Sequence, residues 1–382
     1  MVDNPRDFEH DSAVISRYAP GALSVHSLTV HGGRVISKRS TIEDVARLAG
    51  VSIKTVSRVF NEAPSVRRAT HDRVVAAAEH LDYQPSLSAR QLASDRTFLV
   101  GLLYDVPDPE NSNDYVTAVQ SGALQACRNA GYHLLINPCR VSSPGLGREV
   151  LGLSRQVDGF VVLQPLSDLP SLNQLLLDHR VPCVRVSQRP FRGCPWISVG
   201  DADAAEEMTA HLLELGHRRI GFIMGHPDHG QSQDRLVGYR RALEKHGVPV
   251  DDRLMTQGRF DHASGYSCAR QLLSLASPPT AIFASNDPMA MGALSAAYEM
   301  GLEVPRELSV AGFDDSPLAR NSWPALTTVR QPIEEVARLA TEQLIAGSRT
   351  RSMNDSSLCL RAELVRRAST ASPARRSALG SA

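Results

Sequence analysis

The sequence predicts two fold classes in series: a small three-helix unit over residues 38–84, then a long α/β body of two subdomains over 98–368. Two observations carry this. From Thr41 to about Ser94 the pattern is helical, Ala-rich and free of strand-like runs. Beyond Thr97, short β-rich runs alternate with amphipathic stretches, the pattern of parallel strands covered by helices on both faces. Length agrees, since 382 residues, 42% of them apolar, suggest two or three domains and can bury a large core.

The elements follow in chain order. Residues 1–37 mix Pro, Gly, Ser and His without a period and read as a disordered extension. Val35 is a candidate alternative start codon, in which case the extension is not translated. Thr41 caps the first helix, with Asp44 in a capping-box-like position three residues on. Val45, Leu48 and Ala49 share its inner face, and Gly50 allows the tight turn that ends it. Ser52 caps a second helix whose Val56, Val59 and Phe60 turn inward. A third helix over 70–81 supplies Val74, Val75, Ala78 and Leu81. Residues 85–97 link this unit to the body. There the runs FLVGLLY, HLLINP, GFVVLQP, PCVRVS, WISVG, RIGFIMG, AIFAS and LSVAGF read as strands, and 115–130, 201–215, 233–246 and 288–300 as helices. About ten strands are too many for one sheet, so two sub-sheets with a cleft between them are expected. Residues 369–382 (Ala, Ser, Pro, Arg) read as a flexible tail.

Charge excludes less than it first suggests. Lys+Arg and Asp+Glu are 41 each, so no overall basic character points to nucleic acid. From Lys38 to Arg96, however, ten Lys+Arg face seven Asp+Glu, a local excess of three. No stretch approaches the roughly 18 apolar residues of a membrane span. Asp3, Asp7, Glu9 and Asp11 without a compact apolar run exclude a secretory signal. The six cysteines (127, 139, 183, 194, 268, 359) form no C-x-x-C pair and read as reduced, buried thiols. These features predict a cytoplasmic protein with no membrane partner.

Two short helices joined by a Gly-containing turn form a helix-turn-helix, whose second helix can enter the DNA major groove. Lys54 and Arg58 suit guanine or phosphate, while Thr55, Ser57 and Asn61 suit base edges or backbone. Ser52 and the helix N-terminus suit phosphate. Thr41 and Ile53 complete the candidate DNA-facing set. On spacing alone, a helical bundle with a solvated polar face is an equal alternative.

The run DVARLAGVSIKTVSRVFN resembles the DNA-binding head of the lactose-repressor/galactose-repressor family, and LDYQPSLSARQLAS resembles its hinge helix. The resemblance continues through GHRRIGFIMG, RLVGYRRAL, ASNDPMAMGAL, GFDDSPLA and PALTTVRQP, covering residues 41 to about 368. It implies a homodimer on double-stranded operator DNA, with two heads reading a pseudo-palindromic site, controlled by a small-molecule effector. It also implies a hinge that orders on DNA, with Leu92 wedging into the minor groove and Ala89 and Arg90 beside it. Ser86 departs from the Asn common after the hinge proline.

For the body, the resemblance implies a periplasmic-binding-protein-like (type I) effector domain with its ligand between two subdomains. Arg235 corresponds to the arginine that holds effector hydroxyls or a carboxylate, Asp314 to the acid opposite it, and Asn286 to a polar wall residue. Phe260 corresponds to the aromatic cover, Gln331 closes the cleft from the returning segment, and Tyr115 lines the first subdomain. Such a set suits a polyhydroxy ring. Ser187 stands where relatives often carry a sugar-binding aspartate, and Arg189 near it either favours an acidic or phosphorylated ligand or simply points outward. A sugar or derivative is the first expectation, a nucleobase or acidic metabolite the alternative.

Other classes find little support. P-loop, G-x-S-x-G and H-E-x-x-H motifs are absent, and GLGREV lacks the last glycine of a dinucleotide fingerprint, so neither enzyme nor cofactor is expected. His226, Asp228 and His229 are candidate metal ligands, but a polar loop bordering the cleft is the better reading, and no metal is expected. A transport solute-binding protein would share the body fold but would need a signal peptide and no helix-turn-helix.

Overall fold

A computed structural model of the chain describes residues 40–60, 66–83, 90–91, 94, 96–105, 114–187, 189–350 and 357–374. The chain divides into two compact units, Met1–Ala93 and Ser94–Ala382. The expected extension at 1–37 and most of the 85–97 linker lie outside the described residues.

In the first unit, α1 (Ile42–Ala49), α2 (Ile53–Phe60) and α3 (Arg68–His80) enclose a core of Val45, Ala46, Ala49, Val56, Val59, Val74, Ala77 and Ala78. The capping box forms as expected: the Asp44 amide donates to Thr41 Oγ1, and the Thr41 amide donates to Asp44 Oδ2 at 3.0 Å. Gly50 closes α1 at φ 64, in the left-handed region that favours glycine. Three expectations change. Leu48 is 51% exposed, and Ala46 takes its place in the core. Val75, Leu81 and Phe60 pack only at the core's margin, Phe60 with its ring 5.9 Å from Tyr83. The third helix also starts two residues earlier than its apolar pattern suggests, because its first turn is polar and carries no periodic signal.

The second unit contains two parallel sheets. The first runs in the order β11-β5-β4-β3-β1-β2, formed from β1 (Leu99–Asp105), β2 (His133–Cys139), β3 (Gly159–Val162), β4 (Cys183–Val186), β5 (Trp196–Val199) and β11 (Leu358–Leu360). The second runs β7-β6-β8-β9, from β6 (Ile220–Met224), β7 (Met255–Gln257), β8 (Ala281–Ala284) and β9 (Ser309–Ala311). Helices α4 (Asp114–Ala130), α5 (Leu146–Leu153) and α6 (Pro170–Asp178) belong to the first subdomain. Helices α7 (Asp201–Glu214), α8 (Gly230–Lys245), α9 (His262–Leu273), α10 (Asp287–Glu299) and the short α11 (Pro317–Asn321) belong to the second. Strands β3, β4, β6 and β8 are almost wholly buried, which is why they read as continuous apolar runs and not as alternating ones.

The chain crosses between subdomains three times. It leaves the first through α7 and returns through β10 (Thr328–Arg330) into α12 (Ile333–Thr350), which packs against α4 and the first sheet. After β11, β12 (Glu363–Val365) pairs antiparallel with β10 and carries the chain back. Strands β7, β10, β11 and β12 are three residues each, too short to leave a readable period in the sequence. Helices α7 and α8 approach so closely that a methyl group on Gly238 would collide with the Ala202 carbonyl.

The expectation of a flexible tail is corrected for 369–374, while 375–382 lie outside the described residues. Ser369 is fully buried: its carbonyl accepts from the Val310 amide at 2.9 Å, and its hydroxyl donates to Val310 O at 2.6 Å. The Ala371 amide donates to Ser309 Oγ at 3.0 Å. The body therefore extends past 368, held by an edge of the second sheet that composition could not reveal.

Candidate DNA-reading head and ligand cleft

On α2, the Thr55 amide donates to Ser52 Oγ at 3.2 Å, and the Ser52 and Thr55 hydroxyls lie 2.9 Å apart. This hydroxyl pair satisfies part of the helix N-terminus and fixes the start of α2. Lys54 and Arg58 are exposed, Ile53 is 47% exposed, and Thr55 and Ser57 are half-buried. Val56 and Val59 face the core, so the helix turns one apolar edge inward and presents Ile53, Lys54 and Arg58 outward. Thr41 is committed to its own helix cap. Arg90 stands in helical backbone with Gln91, while Asn61, Ala89 and Leu92 lie outside the described residues.

In the body, a cleft of about 830 Å³ is lined by residues of both subdomains. Its charged centre is Arg235 on α8, 2% exposed. Arg235 Nε donates to Asp201 Oδ1 at 2.8 Å, and its Nη1 donates to the Ser285 carbonyl and lies 3.9 Å from Asp314 Oδ1. The Phe313 ring holds the guanidinium carbon 3.7 Å from its centroid. Gln331 Nε2 donates to Asp314 Oδ1 at 2.7 Å, bringing the returning segment onto the acid. Burial pushes the Asp314 carboxyl up to about 6, against the opposing pull of Arg235 and the Gln331 hydrogen bond.

Asn286 serves two structural purposes. Its Oδ1 accepts from the Met289 amide at 3.0 Å, capping α10, and its Nδ2 donates to the Phe260 carbonyl at 2.8 Å. That second bond holds Phe260 at φ 67. Asp314, at φ 117, and Asp315, at φ 57, are likewise strained for non-glycine residues, so three cleft residues sit in backbone conformations the fold must enforce. The His229 ring meets Phe260 edge-on at 5.5 Å. Burial, with His226 next, holds the His229 imidazole down to about 4, so it is neutral at pH 7. The Tyr115 hydroxyl is buried without a hydrogen-bond partner among the described residues, and burial pushes the phenol up.

Thus Tyr115, Arg235, Phe260, Asn286, Asp314 and Gln331 share one cleft. Ser187 does not join them. It is buried, and its hydroxyl donates to Asp168 Oδ1 at 2.6 Å, while Arg189 is exposed and also off the cleft wall. His226 Nδ1 and Asp228 Oδ2 are 3.8 Å apart, with the His229 ring turned to Phe260. Sequence reasoning missed Asp201, the closest anion to Arg235, because an acid in the first turn of a helix reads as a dipole partner. It also missed Gln164 and Gln231 on the wall, which carry no sequence signal.

The family description "Bacterial regulatory proteins, lacI family" matches residues 41–86, and "Periplasmic binding protein-like domain" matches 209–370. The ribose operon repressor of Escherichia coli (strain K12) is 34% identical over 308 residues, 80% of this chain and 92% of that protein. The chain belongs to the lacI family. Among solved structures similar to this lacI-family chain is the transcriptional regulator CelR–cellobiose complex, with TM-score 0.67 and 31% identity, covering 87% of this chain and all of that one. The Lac repressor dimer bound to operator and the anti-inducer ONPF superposes with TM-score 0.69 at 28% identity, over 87% of this chain and all of that one. These relatives are regulators, not enzymes. No helix among the described residues is long and apolar enough to cross a membrane.

Proposed function

We propose that this chain is a cytoplasmic, sequence-specific transcriptional repressor. It binds a pseudo-palindromic operator as a homodimer and changes affinity when a small polyhydroxylated ligand occupies the cleft. One observation carries the reading: a helix-turn-helix with an exposed Lys54–Arg58 face shares a chain with a cleft that opposes Arg235 to Asp314. Two heads related by a two-fold axis read two half-sites. Ligand hydroxyls would meet Asp314 as acceptor and Arg235 and Gln331 as donors, with the Phe260 face covering the ring's C–H groups. The exposed position of Arg189, away from the wall, favours a sugar over an acidic metabolite, and the cellobiose complex of a relative at 31% identity supports the same class. Coupling between ligand and operator is reciprocal, so operator DNA must change ligand affinity by the same factor that ligand changes DNA affinity.

The experiment is fluorescence anisotropy of the full chain on duplex DNA from its own promoter region, with random duplex as control and salt varied. Selective, salt-sensitive binding is expected, with Arg58→Ala weakening it by about 1–3 kcal/mol. Equal affinity for both duplexes at every salt concentration refutes the reading.

A further inference from the structure

Cys183 begins β4, and Cys194 lies eleven residues on in the turn before β5. The fold brings them together. Both are at most 3% exposed, and the Cys183 thiol donates to Cys194 Sγ at 3.6 Å. The Arg185 amide, donating to the Pro195 carbonyl at 2.9 Å, fixes that juxtaposition through the backbone.

A second feature stands beside them. The Arg185 side chain is buried, yet it forms no ion pair with a carboxylate among the described residues. Its Nη1 donates to Ser167 O at 3.1 Å and its Nη2 to Arg189 O at 2.7 Å, while its Nε has no partner. A desolvated cation without a directly bonded carboxylate is costly, and the strongest sources of negative charge beside it are the two sulfurs, with the Asp168 carboxylate next. Burial and the bond to Cys194 push the Cys183 thiol up, and Arg185 pulls the other way.

We propose that Cys183 and Cys194 form a peroxide-sensitive dithiol, with Arg185 as the counter-ion of the reacting thiolate, whose oxidised state is a disulfide closing the 184–193 segment. Burial selects a small oxidant, because a glutathione-sized disulfide cannot reach either sulfur. One thiol gives up its proton, and the thiolate attacks an oxygen of hydrogen peroxide, breaking the O–O bond. This leaves a sulfenic acid and a hydroxide that takes up the released proton. The second thiol attacks the sulfenic sulfur and expels water, so two thiols and one peroxide yield one disulfide and two waters. The sulfurs close by about 1.6 Å to reach bonding distance. The closed segment carries Ser187, which holds Asp168, and Asp168 lies against Gly230 at the start of α8 in the opposite subdomain. Oxidation at the dithiol therefore acts on a contact that spans the two subdomains.

The test is peptide mass spectrometry of the full-length folded protein after graded hydrogen peroxide. The expected result is a loss of about 2 Da in a linked 183–194 peptide, reversed by dithiothreitol, while Cys127, Cys139 and Cys268 stay unmodified. Cys183→Ser and Cys194→Ser should each abolish the loss, and Cys359→Ser should leave it. Three results overturn the proposal. These are a disulfide that forms only in denaturant, modification of the exposed Cys359 alone, or sulfinic acid at 183 or 194 without any bridge. The wild-type measurement decides the matter even where a serine variant folds poorly.

Discussion

Replacing Arg235 with Met keeps an unbranched apolar stem and removes the guanidinium and its charge. In the native structure this guanidinium donates to Asp201 at 2.8 Å, donates to the Ser285 carbonyl, and faces Asp314 at 3.9 Å. Both it and Asp201 have side chains only 3% exposed. Met therefore strips the buried Asp201 carboxylate of its guanidinium, leaves the Asp314 carboxylate less neutralised, and removes the donor to the Ser285 carbonyl. Removing one partner of such a buried pair costs about 3–5 kcal/mol, far above the 0–1 kcal/mol of a surface pair. The measurement is urea unfolding of wild type and Arg235→Met, followed by far-ultraviolet circular dichroism at pH 7 and pH 5. In the variant the Asp314 carboxyl loses the opposing pull of Arg235 and rises further above its unfolded value, so the native state binds more protons than the unfolded one. Stability is therefore regained as pH falls, and the deficit should be smaller at pH 5 than at pH 7. The double variant Arg235→Met/Asp201→Asn should recover part of the loss, because an amide is cheaper to bury than a charge that has lost its counter-ion. A deficit below about 1 kcal/mol that is unchanged by pH would refute the view of Arg235 as a buried counter-ion.

Three further outcomes follow from particular contacts. Thr41→Ala removes the capping box and should cost about 1 kcal/mol in the head, read as faster hydrogen exchange in the first turn of α1 with little change in the body. Gly238→Ala forces α7 and α8 apart against the Ala202 carbonyl and should lower the thermal midpoint by the equivalent of about 1–3 kcal/mol, whereas Gly152→Ala, with open space around it, should not. Asp234 is pushed up to about 6, first by burial and then by Asp201, and one of its oxygens has no partner. Its charging therefore costs stability as pH rises from about 4 to 6, so Asp234→Asn should raise the thermal midpoint at pH 8 and by about half as much at pH 5, midway through that window.

The parts legible in the sequence are those written in short-range terms. Thr41 and Asp44 are three residues apart, Gly50 needs only its own φ, and the inward Val56 and Val59 follow the helical period, so the head could be read locally. Buried parallel strands announced themselves as apolar runs, and the resemblance supplied the cleft's arginine, acid, amide and aromatic. Where the reading failed, competing neighbours were invisible. Leu48 satisfies the same period as Val45, but the position of α3 leaves it exposed. Ser187 aligns with a ligand-binding position, but Asp168, 19 residues away in sequence, takes its hydroxyl. The tail has the composition of a loose end, yet Ser369 is captured by Val310 and Thr327.

By itself the sequence determined the three short helices of the head and the division of the body into two parallel sheets, because propensity, capping and burial periodicity act within a few residues, while the helix-turn-helix reading came with the family resemblance. Only the tertiary structure decided that Asp201 is the nearest anion to Arg235, that Asn286 spends its amide on a helix cap and on Phe260, and that Cys183 and Cys194 touch. Each of these pairings depends on two segments whose approach is set by crossovers and sheet packing, and the energy of a buried charge or thiol belongs to the pair and not to either residue.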